Sequence, residues 1–223
     1  MTGLKLPTLT AAVQERYTGL ATRCCSLSCG NALELAAPAN GEVLVDLGCG
    51  QGRDVLRAAG MVGASGRAIG VDMTEAMLDT ARKSAPPFLS NVKFVRSELA
   101  SLDVPEAAAD VVISNCTINH APDKAAVYRE IRRILKPGGR FVVSDVIADH
   151  ELPESVRNDP AAWAACYGGA IPEAEYRAAI ESAGFTGIEV LHRSDPYEKG
   201  GVQVRSLTVR GYREPNAHSG GNR

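Results

Sequence analysis

Little in this chain points toward nucleic acid, membrane or disulfide chemistry. Aromatic residues are only 5% of the 223 positions, too few for the stacking platforms that hold single-stranded bases. Neither charge sign dominates: 24 Lys and Arg against 26 Asp and Glu leave a formal net charge of −2, with no basic stripe for a polyanion. No run approaches the ~18 consecutive apolar residues of a membrane span. The opening MTGLKLPTLTAAVQERY has no apolar signal-peptide core. These absences lead to the expectation of a cytoplasmic protein without nucleic-acid or membrane partners, in a compartment where thiols stay reduced. Its six cysteines are then expected as ligands, nucleophiles or small core residues rather than bridges. Three of them crowd into CCSLSC (24–29), and that crowding needs a reason.

What is present is an alternation of short apolar runs with helical patterns. EVLVDLG (42–48), RAIGVD (67–72), NVKFVRS (91–97), DVVISN (110–115) and RFVVSDVIA (140–148) read as strands. KAAVYREIRRIL (124–135) puts Val127, Ile131, Ile134 and Leu135 on one helical stripe, stopped by Pro137-Gly138-Gly139. Thr74 is placed to cap the helix carrying Met77, Leu78 and Ala81, and EAEYRAAIESAGF (173–185) reads as another helix. Strands separated by such helices imply a parallel sheet covered on both faces. IEVLHR (188–193) and VQVRSLTVRGY (202–212) alternate as a terminal antiparallel pair around a loop at 194–201.

DLGCGQGRD (46–54) joins the first strand to the next helix, and its glycines at 48, 50 and 52 permit a tight turn and close approach of a ligand. The dinucleotide fingerprint is G-x-G-x-x-G around a pyrophosphate. Here the third glycine falls one residue early, and Asp46 would repel a phosphate; it suits a cationic ligand. Asp72 ends the second strand, where a carboxylate accepts hydrogen bonds from both ribose hydroxyls. A ribose ligand with positive charge describes S-adenosylmethionine (SAM). The stretch resembles the class I SAM-dependent methyltransferases, as does LKPGG (135–139) before the fifth strand. The resemblance implies an α/β, Rossmann-like, doubly wound and mostly parallel seven-stranded sheet with an antiparallel last strand. It also implies that Asp46, Gly48, Gly50, Gly52, Asp72 and Met73 hold the cofactor, with Glu98 and Leu99 at the adenine and Asn115 beside the methionine part. The expected organisation is an N-terminal cap with the cysteine cluster (1–41), a methyltransferase domain (42–212) with an inserted cap at 149–175, and a disordered polar tail (213–223).

Three further stretches, GVDMTEAMLDTAR (70–82), VVISNCTINHAPDKAAVYREIRRILKPGG (111–139) and DPAAWAACYGGAI (159–171), resemble the arsenite methyltransferases. The resemblance implies methyl transfer to trivalent arsenic held by thiolates, with Cys166 as a ligand and Cys24, Cys25 or Cys29 as its partner. It gives the crowded thiols a purpose, because soft arsenic(III) exchanges oxygen for sulfur. Zinc fits less well, since no second cysteine pair is present. Family members place a further ligand near the last strand, but no cysteine follows Cys166 here, so either the N-terminal cluster supplies the missing thiols or the substrate differs. Cys49 and Cys116 read as small packed residues. A thiol reductant such as glutathione or thioredoxin is the implied partner. Two other readings remain open: a small organic acceptor (hydroxyl, amine or thiol) with His120 as general base, and a non-catalytic SAM or arsenic sensor.

Overall fold

The five apolar runs form one parallel block in the computed structural model, which describes residues 6–22 and 30–215, with side chains from Leu9 onward. Cys24, Cys25 and Cys29, and the part of the expected tail at 216–223, lie outside the described residues. In chain order the elements are α1 (Leu6–Leu20), α2 (Ala32–Ala36), β1 (Val43–Leu47), α3 (Arg53–Val62), β2 (Arg67–Asp72), α4 (Glu75–Ser84) and β3 (Val92–Arg96). There follow β4 (Ala109–Asn115), a single 3₁₀ turn (Ile118–His120), α5 (Lys124–Ile134), β5 (Leu135–Ala148), α6 (Glu154–Arg157) and α7 (Pro160–Ala164). The chain ends on α8 (Glu173–Ser182), β6 (Thr186–Arg193), β7 (Tyr197–Lys199) and β8 (Val202–Tyr212).

The sheet runs β3-β2-β1-β4-β5-β8-β6, with β8 antiparallel to both β5 and β6. Alternate residues of each central strand enter opposite cores. Val45 and Leu47 pack on the side of α5 and α8, with Ile131 and Ile180. Leu44, Val111, Ile113 and Val142 pack on the other, with Leu33 of α2 and Val55 of α3. Both faces are thus covered, which explains why these strands read as continuous apolar runs. The strand order turns back between β1 and β4, and such a switch point opens a crevice at the strands' carboxyl ends.

The sequence reading needs correction at several places. The expected loop 194–201 contains β7, a short strand folded back on β8 so that Lys199 pairs with Val202. β5 begins at Leu135, which pairs with Ala109 of β4, and the main chain of Gly138 and Gly139 bonds with Arg213. Thr74 stands at the N-cap of α4 without a capping side-chain bond. Its N–H instead donates to Asp72 Oδ1 at 2.8 Å, so the strand-ending acid takes over the turn. The cap regions hold helices not foreseen: α1 and α2 before the sheet, α6 and α7 after β5. Among the described side chains of α1 only Leu9 and Val13 are buried, a stripe too short to stand out.

Candidate functional site

A cavity of about 500 Å³ opens at the switch point, floored by the β1–α3 turn and roofed by Thr10, Val13 and Tyr17 of α1. Gly48, Gly50 and Gly52 all have positive φ, at 72°, 51° and 77°. They differ in what a side chain would meet. A Cβ on Gly48 would overlap Thr117, and one on Gly52 would lie 2.8 Å from the Phe94 ring and 2.9 Å from Ala81 Cβ. A Cβ on Gly50 would meet nothing within 4 Å. Gly48 and Gly50 line the cavity and Gly52 does not. Gly52 therefore serves close packing of helix on sheet, while Gly50 leaves bare main chain facing the cavity. Asp72 ties the turn to β2: its Oδ2 accepts from Gly50 N at 2.9 Å while Oδ1 accepts from Thr74 N.

Three carboxylates converge here. Asp46 is 4% exposed, and burial, then Asp54, then Asp72 hold its pKa well above the carboxylate range. Burial also raises Asp72, against the hydrogen bonds it accepts. Asp54, inside the glycine turn but not singled out from sequence, accepts from Asn115 Nδ2 at 3.1 Å and faces Arg57 at 3.3 Å. Asn115 also accepts from Ala32 N at 3.3 Å, which couples α2 to the site. Met73, Glu98 and Leu99 line the same cavity. A cationic ligand would relieve the repulsion among these carboxylates.

Sulfur also borders the cavity. Cys116 lines it in a left-handed conformation, φ 55°, and also borders a second cavity of about 250 Å³ beside Gly30 and Asn31. It is 8% exposed, as expected of a small packed residue, and borders both cavities as well. Cys166 is also left-handed, φ 69°. It does not line the cavity itself; its Sγ lies 3.3 Å from Tyr17 Oη and 3.4 Å from His120 Nε2, and both of those residues do. Tyr17 Oη and His120 Nε2 close the triangle at 3.2 Å. Tyr17 was quoted in the sequence only as part of QERY; nothing local marked it as a neighbour of a cysteine 149 positions away. Cys49, buried in the core near the turn, also lines the cavity, and its thiol pKa is raised by burial first and then by Asp46 and Asp72.

His120 is a poor base where it stands. Burial, assisted by the positive charges of Lys124, Arg16 and Lys199, pulls its pKa to about 4. The nearby Trp163 backbone pulls the other way, but Nδ1 has no aligned hydrogen-bond partner. The ring is therefore neutral near pH 7. α1 is fastened over this site at its C-terminal end, where Gln51 Nε2 and Thr80 Oγ1 each donate to Ala21 O at 3.0 Å.

Two outcomes follow. Gly50→Ala should cost about 1–2 kcal/mol of stability, the ordinary left-handed penalty. Gly52→Ala should cost more because of Phe94 and Ala81, and urea unfolding of both variants distinguishes the two. Second, unfolded His120 protonates near 6.5 and the folded residue only near 4. Its contribution is complete above pH 6.5 and lost as pH falls toward 4. Asp145, raised by burial from 3.8 to about 7, acts with the opposite sign, its contribution being lost as pH rises through that range. His120→Gln should therefore gain stability relative to wild type between pH 6.5 and 4; a pH-independent difference would contradict the buried neutral ring.

Comparison with known proteins gives a consistent family. Residues 38–185 match a family model described as a methyltransferase domain. An arsenite methyltransferase of Halobacterium salinarum is 40% identical over 173 residues, covering 77% of this chain and 44% of that protein. The Homo sapiens arsenite methyltransferase is 36% identical over 152 residues, covering 64% of this chain and 40% of that protein. The chain thus spans less than half the length of these curated relatives. A crystal structure of an arsenic (III) S-adenosylmethionine methyltransferase from Chlamydomonas reinhardtii superposes with a TM-score of 0.74 at 34% identity, covering 94% of this chain and 75% of that one.

Proposed function

We propose, starting from the fact that this chain belongs to the methyltransferase-domain family alongside the arsenite methyltransferases, that it transfers a methyl group from SAM to trivalent arsenic. One observation carries the reading: a single cavity is lined by carboxylates, by bare main chain and by Cys49 and Cys116, and Cys166 is bonded to two further lining residues, Tyr17 and His120.

The donor's residues fit their task. SAM supplies, when bound, a methyl carbon made electrophilic by a sulfonium. Asp72 is placed to accept from ribose hydroxyls, and Gly50 lets the ligand reach the main chain. Asp46 and Asp54 offer negative charge to the amino and sulfonium groups, with Leu99 and Glu98 toward the adenine. A ligand cation would lower the pKa of Asp46 and remove part of the penalty of burying it.

Arsenic is the substrate and is taken up through sulfur. Each As–OH exchanged for As–S consumes one thiol and releases one water, the thiol proton leaving with the hydroxyl. Cys166 and Cys116 are the proposed ligands, and Cys116 supplies the thiol that the missing cysteine after Cys166 would have given. The N-terminal cluster (Cys24, Cys25, Cys29) offers a third ligand. Thiolate-bound arsenic(III) retains a lone pair, so the acceptor requires no deprotonation at the moment of transfer. A small thiol such as glutathione, or thioredoxin, would keep both ligands reduced. The organic-acceptor reading loses support because His120, pulled to about 4 and bonded to Cys166 and Tyr17, is far from the pKa that suits a general base.

The test is product analysis with methyl-labelled SAM, arsenite and glutathione. Labelled methylarsenic should form, and Cys166→Ser or Cys116→Ser should each lower kcat/KM by about 100-fold or more, equivalent to about 2.7 kcal/mol. SAM affinity by calorimetry should be unchanged in both variants. Transfer to a phenol or amine, with arsenite inert, would overturn the proposal; SAM binding without turnover on any acceptor would favour a sensor.

A further inference from the structure

The motif around residues 119–124 is not used by the chemistry just described, yet it holds two of the most deeply buried polar side chains near the site. Asn119 is fully buried and Lys124 is 5% exposed. Neither lines the cavity. Both point at main chain of the segment that carries Cys166. Asn119 Nδ2 donates to Cys166 O at 3.3 Å, and also to Val146 O on β5 at 2.5 Å. Lys124 Nζ donates to Gly169 O at 2.6 Å, with Ala121 O at 3.4 Å.

The segment needs such holding. Cys166 is in a left-handed backbone region, φ 69°, that disfavours a residue bearing a side chain. Its local support is a bond from Cys166 N to Trp163 O at 3.0 Å, and bonds from Tyr167 N and Gly168 N to Ala162 O. Gly169 is packed so tightly that a Cβ would overlap Asn119 O and lie 2.8 Å from the Trp163 ring. A buried ammonium is an expensive way to satisfy one carbonyl, since desolvating it costs several kcal/mol. Burial accordingly pulls Lys124 to about 8, and the charge of Asp145 opposes that shift. Asp145 is itself anchored: it accepts from Asn119 N at 3.1 Å, Val146 N at 3.0 Å and the Tyr176 hydroxyl at 3.3 Å. Tyr176 is in turn bonded to Tyr128 of α5 at 3.0 Å. The arrangement runs from the core of α5 and α8 through β5 to the two ends of a four-residue segment.

We infer that Asn119 and Lys124 are positioning residues, a two-point clamp on the carbonyls of Cys166 and Gly169 that holds the Cys166 thiol against Tyr17 and His120 at the rim of the cavity. The inference deepens the proposed function, because it takes Cys166 as the thiol that receives the acceptor. Removing one anchor lets the segment relax out of its left-handed turn, exposing Sγ and spoiling its alignment with the second thiol.

Lys124→Met keeps the length of the side chain and removes its donors. Two readouts decide. In peptide mass mapping after iodoacetamide, Cys166 should be alkylated several-fold faster than in wild type, with Cys49 unchanged as internal reference. In steady-state kinetics, the KM for arsenite should rise about tenfold or more, while SAM affinity by calorimetry stays within twofold. Asn119→Ser, which removes the other anchor, should give the same pattern and decides the matter if Lys124→Met does not fold. Alkylation and arsenite KM both at wild-type values in a folded variant would overturn the clamp. The alkylation arm needs no arsenic. Faster alkylation in a protein that never methylates arsenite would leave the clamp standing and remove the proposed function; unchanged alkylation in an active enzyme would remove the clamp alone.

Discussion

Everything at this site depends on carboxylates that the fold forces out of water. Asp46 is inside the parallel block, registered against Gly70 and Ile113 of the flanking strands, and is only 4% exposed where it borders the cavity. Asp72 ends the adjacent strand and is spent on fixing the glycine turn. Charges placed this way repel one another at close range in a medium of low effective dielectric. The fold carries that stress in exchange for a strong preference for a cation. Fold and ligand choice are therefore one problem here: the switch point makes the crevice, and the strand-end acids determine its sign.

The cluster of Tyr17, Cys116, His120 and Cys166 is built from distant parts of the chain. Tyr17 comes from α1, Cys116 and His120 from the segment after β4, and Cys166 from the turn after α7. Two non-glycine residues in left-handed conformations at one site indicate backbone held in place by its surroundings. The network through Asn119, Lys124 and Asp145 supplies that constraint.

The parallel sheet was legible because each central strand is buried on both faces, and an apolar run between helices has few other interpretations. The glycine turn and Asp72 were legible for a local reason: strand, turn and acid are close in sequence and their spacing has a chemical meaning. β7 was not, because three exposed or half-buried residues on a hairpin carry no periodicity. Among the site residues, Cys116 was read as packing since a small residue at a strand end looks the same whether it faces core or cavity. Asp54 was passed over because its partner Asn115 is 61 positions away. The meeting of Tyr17, His120 and Cys166 is purely tertiary, and His120 could be judged as a base only once its burial was known.

The account stands or falls on whether arsenic meets sulfur at Cys116 and Cys166. X-ray absorption at the arsenic K-edge, on reduced protein loaded with one equivalent of arsenite, measures this directly. A nearest shell of sulfur is predicted for the wild-type protein, reverting toward oxygen in the Cys116→Ser/Cys166→Ser double variant. An oxygen shell in the wild type, or a sulfur shell untouched by the double substitution, would contradict it.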